Sequence, residues 1–183
     1  GYSVFCDSDF LWNCDITELL KYINTDLAVS CVKHSYNDCN DKVKMNGLKQ
    51  EWYPRKNWTS LMVFNNEHSS IRNLSLENVN TKSAKWLHRL QWCSNEEIGS
   101  IPILYNYLAG YYSKNVVPKA IHYTDGGPWH YKYIDTDFGQ EWIDYLSREE
   151  INKLKTFLLY SKLQCEFFVM VGPNVIESKK HTL

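Results

Sequence analysis

The chain has 183 residues and a formal net charge of −1, with 44% hydrophobic and 22% charged residues. That length and composition suit one medium domain with a real apolar core, and the near-neutral charge argues against a polyanion-binding protein. No apolar run reaches the length of a membrane-crossing helix, and no charged-then-apolar leader opens the chain, so the sequence predicts a cytoplasmic protein. The start at Gly1, running at once into apolar residues, reads as a piece cut from something longer.

In chain order, Tyr2 to Cys6 reads as the end of a buried strand that delivers Asp7-Ser8-Asp9. Carboxylates spaced i, i+2 face the same way where a strand ends, and two hard oxygen ligands suit Mg²⁺ or Mn²⁺. A second copy, Asp135-Thr136-Asp137, lacks the preceding apolar run and reads as a helix start with capping carboxylates. Asp15-Ile16-Thr17-Glu18 has capping-box form, opening a helix with Ile16, Leu19, Leu20 and Ile23 on its apolar face. Residues 27–32 are a short apolar run of strand length, and 34–56 read as a polar surface loop. Residues 57–65 pass from small polar residues into a further strand. Ser75 then caps a helix whose apolar positions are Leu76, Val79, Trp86, Leu87 and Leu90.

Residues 98–106 form a Pro-broken apolar segment, and 119–124 a third short strand running into Asp125-Gly126-Gly127-Pro128-Trp129. Glycines in that turn permit positive φ and a close backbone approach. Residues 138–146 are helical by spacing, and Ser147 to Glu150 begins another helix with Ile151, Leu154 and Leu158 inward. Residues 166–172 are ambiguous, with a strand among the readings. The six cysteines show no compact disulfide framework, and Cys31, His34 and Cys39 lack a second pair at zinc-ligand spacing. They read as reduced structural thiols in an intracellular compartment.

Taken together, Asp7-Ser8-Asp9, the strand at 57–65, Ile101-Pro102 to Tyr105-Asn106 and His122-Tyr123-Thr124-Asp125-Gly126-Gly127-Pro128-Trp129 resemble the metal-dependent half of a GT-A glycosyltransferase. The pattern is most similar to family 8, the glycogenin and bacterial galactosyltransferase type. The resemblance implies an α/β fold with a mixed sheet and flanking helices. Residues 1–146 are then the carboxy-terminal part of a GT-A domain and 147–183 an extension of it. It implies sugar transfer from a nucleotide-sugar donor to a glycan, lipid or protein acceptor, with retained configuration and no role for nucleic acid.

The same resemblance makes Asp7, Asp9 and His122 the ligands of Mn²⁺ or Mg²⁺. It assigns Asp7, Ser8, Gly126, Gly127 and Trp129 to the donor, and Thr59, Ser60 and Asn106 to the acceptor. No nucleophile is identified; Gln91 and Glu96 are the candidates, facing the acceptor or simply solvated. Gly127 stands where the family commonly has a phosphate-binding Lys, and the nucleotide-holding first half of the fold has no counterpart. The competing expectation is a non-catalytic carbohydrate-binding or interaction domain derived from such a transferase.

Overall fold

The structure, a computed structural model, describes the backbone of residues 1–35 and 53–171, with side chains as far as residue 163. Most of the predicted loop at 34–56, and Cys39 with it, lies outside the described residues. The chain packs as two compact units, Gly1–Asp125 and Gly126–Leu183.

The first unit is built on a four-stranded mixed sheet and a smaller three-stranded one. The larger sheet contains β1 (Tyr2–Cys6), β3 (Val29–Val32), β4 (Leu61–Asn65) and β5 (Ile98–Ile101), in the order β1-β4-β3-β5. β4 runs antiparallel to both neighbours, while β3 and β5 are parallel. Alternation along β4 divides the core. Leu61 and Val63 pack with Leu19, Val32, Ile101 and Tyr105 on one face. Met62 and Phe64 lean toward Val29, Cys31, Leu90 and Trp92 on the other. The inner strand β3 is buried along its whole length, which its largely apolar run predicts. Its Ser30 hydroxyl donates to the carbonyl of Tyr22 at 3.0 Å. A side chain on the paired Gly99 would meet that hydroxyl at 2.4 Å, so the register here depends on glycine.

The smaller sheet joins β2 (Phe10–Trp12), β6 (Tyr107–Leu108) and β7 (Ala120–His122) in the order β2-β7-β6. β2 is antiparallel to β7, and Phe10 pairs with His122.

Several local expectations are corrected. Ile16–Tyr22 winds as a 3₁₀ helix, capped by the Asp15 carboxylate, which accepts from Thr17 N at 2.8 Å. Three residues per turn align Ile16, Leu19 and Tyr22, so only Leu19 is fully buried and Leu20 stays 55% exposed. The capping box does not close, because Glu18 instead accepts from the Tyr105 hydroxyl at 2.9 Å. Ser75 does cap a helix, accepting from Asn78 N, but the expected single helix is two: α1 (Leu76–Thr81) and α2 (Ala84–His88). Ser83 causes the break, since its hydroxyl accepts from Trp86 N and starts a new helix.

The second unit contains α3 (Gly139–Ile143) and α4 (Arg148–Val171). Neither Asp135 nor Asp137 caps α3. A tight turn with Gly139 N on the Thr136 carbonyl (2.9 Å) places Phe138 at the cap with φ 61°, and no side chain bonds there. α4 opens with a closed capping box, Ser147 N on Glu150 Oε2 at 2.8 Å and Glu150 N on Ser147 Oγ at 3.3 Å. Ile151 and Leu154 are half-buried and Leu158 buried, which their spacing predicts. Residues 166–171 are helical rather than a strand. With no Gly or Pro between 148 and 171, a capped helix has nothing to stop it.

Candidate metal centre and cleft

β1 ends at Cys6, so Asp7 and Asp9 do not converge by alternation along one strand. They are brought together by the turn at Ser8–Asp9 that links β1 to β2. Both flanks of this turn are tied down by backbone hydrogen bonds. Asp7 N donates to the carbonyl of Ser60 at 2.9 Å, extending the β1–β4 edge, and Tyr123 N donates to the carbonyl of Asp9 at 3.0 Å. That second bond continues the β2–β7 ladder and sets Asp9 beside the end of β7, where His122 lies.

His122 is almost wholly buried, with 2% of its side chain exposed, and its Nε2 is 3.4 Å from Asp9 Oδ1. Phe10 stacks on the imidazole with ring centroids 4.5 Å apart. On the far side, His122 Nδ1 meets Asn106 Oδ1 at 2.9 Å. The orientation of that amide follows from its other contacts. Asn106 Nδ2 lies 2.8 Å from Ser60 Oγ and 3.3 Å from the Asn57 carbonyl, which can only accept. The amide oxygen therefore faces His122, and Nδ1 must carry the ring proton that it donates. In the neutral ring, this leaves the Nε2 lone pair facing the Asp9 carboxylate. Such a pairing is repulsive until a proton or a cation sits between the two atoms.

Ligand atoms of Asp7, Asp9 and His122 all lie within 4.8 Å of one another. A divalent cation about 2.1 Å from each ligand spaces two of them by about 3.0 Å when adjacent and about 4.2 Å when opposite. The 3.4 Å Asp9–His122 separation falls in that interval, and the longest pair needs only a small side-chain adjustment. Two carboxylate oxygens with one imidazole nitrogen also suit Mn²⁺ or Mg²⁺ chemically. The residues present thus fit the ion that the sequence pattern implies.

All three residues line a cavity of about 460 Å³, together with Tyr53, Asn57, Thr59, Ser60, His88 and Thr124 at its polar part. Thr59 Oγ1 lies 3.3 Å from His88 Nδ1, and Asn57 Nδ2 donates to Thr124 Oγ1 at 3.3 Å. Tyr53 and His88 carry no sequence signal, since only the fold brings them here, whereas Thr124 falls within the motif that starts at His122. Asn57 is flagged in retrospect by its left-handed backbone (φ 60°), a conformation that asparagine tolerates.

Asn106 departs from the acceptor role expected of it. It is fully buried and does not line the cavity; its amide is spent on His122, Ser60 and Asn57. Ser60 lines the cavity, but its hydroxyl is bonded to the Asn57 carbonyl at 2.7 Å. Gln91 and Glu96 are found elsewhere, in a separate cavity of about 630 Å³ with Arg55 and Arg89. In the second unit, Gly126 has φ 145°, and a side chain there would meet the Tyr133 ring at 2.8 Å. A side chain on Gly127 would lie 2.2 Å from the Trp129 ring, which itself packs on Trp142 at 5.4 Å. Both glycines therefore have a steric reason to be there. Cys6, Cys14, Cys31 and Cys93 are free thiols. Among the described residues, no helix is long and apolar enough to cross a membrane.

No protein-family model matches the chain. It is 42% identical over 158 residues to Protein CDI of Arabidopsis thaliana, an alignment covering 84% of this chain and 60% of that protein. Among solved structures, it is similar to the apo form of WbbM, a bifunctional glycosyltransferase, with a TM-score of 0.60 at 18% identity. That match takes in 86% of this chain and 35% of WbbM, so both proteins are considerably longer than the segment that matches this chain. With its mixed sheet and flanking helices, the chain has an α/β, glycosyltransferase-like fold corresponding to part of a GT-A-like domain.

Proposed function

We propose that this chain carries the metal-binding half of a glycosyltransferase site of the family 8 type. It moves a sugar from a nucleotide-sugar donor to an acceptor with retained configuration. The observation that carries the reading is the convergence of Asp7, Asp9 and His122 within 4.8 Å, on a glycosyltransferase-like fold. When bound, Mn²⁺ or Mg²⁺ would stabilise negative charge on the departing diphosphate.

The chain's own part is positioning. Asp7 and Asp9 supply two carboxylates from one anchored turn, and Asn106 holds the His122 ring so that Nε2 faces them. Thr59 and His88 present hydrogen-bonding groups to whatever enters the cavity beside them. Asp7 and Ser8 are proposed for the donor side. Residues 1–146 are assigned to the transferase domain and 147–183 to its extension.

The test is release of nucleoside diphosphate from a panel of nucleotide sugars, with and without Mn²⁺, in the wild type, Asp7→Asn and Asp9→Asn. Each substitution removes a charged ligand from an open turn, so activity should vanish while the unfolding midpoint holds. Mn²⁺-dependent turnover that survives both substitutions would overturn the proposal. Mn²⁺ and donor binding without turnover would favour a binding domain instead.

A further inference from the structure

The cavity beside Asp7, Asp9 and His122 has a second, chemically opposite part. Met62 and Phe64 are two apart on β4 and project to one face of the sheet, and Phe5 pairs with Met62 from β1. Leu74, Val79 and Leu87 line the same cavity, from the segment that carries α1 and α2. None of these six side chains offers a hydrogen-bond donor or an acceptor of any strength. Phe5 is 46% and Val79 42% exposed, so this apolar wall is open to solvent.

We propose that this wall seats the apolar body of the acceptor, and that the acceptor is an amphiphile: a hydroxyl-bearing head joined to an alkyl or prenyl chain. The inference rests on the transferase reading and specifies its acceptor class. A free sugar laid along Met62, Leu74, Val79 and Leu87 would give up hydrogen bonds to water and receive none in return. A nucleobase would meet the same deficit along its polar edges. An alkyl chain loses nothing there and gains by leaving water. The Asp/His cluster and the Thr59–His88 pair lie on the same cavity, so an acceptor whose chain lies on the wall has its hydroxyl head among polar partners. A volume of about 460 Å³ is in the range of sites that enclose small organic ligands.

The test is calorimetric titration of the whole chain with butyl, hexyl and octyl β-glucosides below their micellar concentrations. Glucose and uridine serve as comparisons, and each titration is run with Mn²⁺ and with a chelator. Affinity should rise about two- to four-fold for each added methylene, and glucose should bind at least ten-fold more weakly than the octyl glucoside. Val79→Trp, at a half-open position, should fill the wall and weaken octyl glucoside binding ten-fold or more while Mn²⁺ binding persists. Equal affinity for glucose and octyl glucoside would overturn the proposal, as would octyl binding indifferent to Val79→Trp. Uridine binding abolished by Val79→Trp would also overturn it, by giving the wall to the donor. Chain-length-dependent binding in a protein that takes up no Mn²⁺ would uphold the amphiphile site and sink the transferase reading alone. The length series needs no variant, so a poorly folding Val79→Trp leaves the test intact.

Discussion

Asn106→Leu separates a structural histidine from a metal ligand held in place from behind. The replacement has nearly the same shape but deletes the acceptor of His122 Nδ1–H (2.9 Å) and the amide that meets Ser60 Oγ (2.8 Å). Leaving one buried polar group unsatisfied costs about 1–3 kcal/mol. Ser60 keeps its bond to the Asn57 carbonyl, so the loss should stay at about 1–3 kcal/mol in the absence of metal. If His122 is a ligand, the ring also loses the contact that fixes its tautomer and angle, and Mn²⁺ affinity should fall about 10- to 100-fold.

Urea unfolding with and without Mn²⁺ reads both effects at once. At a Mn²⁺ concentration one hundred times the wild-type dissociation constant, the wild type gains about 2.7 kcal/mol. A variant weakened 30-fold gains only about 0.9 kcal/mol at that concentration. An Asn106→Leu protein that is destabilised without metal yet gains the full wild-type increment would refute the orienting role. The buried imidazole would then be a core residue.

His34 offers a pH test. It is buried at 7% exposure, and burial pushes its imidazole down to about 3, with the nearby His122 adding to the effect. Between pH 6.5 and about 3 the unfolded chain binds a proton at this position that the folded chain refuses, so stability falls as pH falls through that window. From pH 7 to pH 5 the loss should be about 2 kcal/mol in urea midpoints, and His34→Gln should remove that slope; equal slopes would refute the assignment. Gly127→Ala places a Cβ in the Trp129 ring and should cost about 1–3 kcal/mol, with a change in tryptophan fluorescence. An unchanged melting point would show that the ring yields freely. Burial pushes the Cys31 thiol up to about 12, so a maleimide at pH 8 should label it only after unfolding. Prompt labelling of Cys31 in the native chain would contradict its packing.

Local features were legible in the sequence wherever a few neighbouring residues decide the conformation. The alternation of Leu61 to Phe64 separates two faces of a strand, Ser75 stops a chain at a helix start, and Ser147 with Glu150 closes a capping box. Asp7 and Asp9 were legible in the same way, as acidic residues where an apolar run ends. His122 was reached through resemblance, because a single histidine more than a hundred residues away has no local mark. Tertiary structure decided the rest. The pairing of β2 with β7 puts Asp9 next to His122, and that register depends on contacts spanning most of the first unit. Asn106 read as an acceptor contact from its motif, yet it became a buried support because the Asn57 carbonyl and Ser60 hydroxyl close around its amide. The apolar wall of the cavity that the metal cluster lines has the same origin. Phe5 and Met62 read as parts of apolar strands and Val79 as an apolar helix position, and only packing leaves them, with Leu74, lining an open cavity. Backbone propensity acts over a turn or a strand, whereas a site is made by the long-range pairing that sets distant side chains against each other.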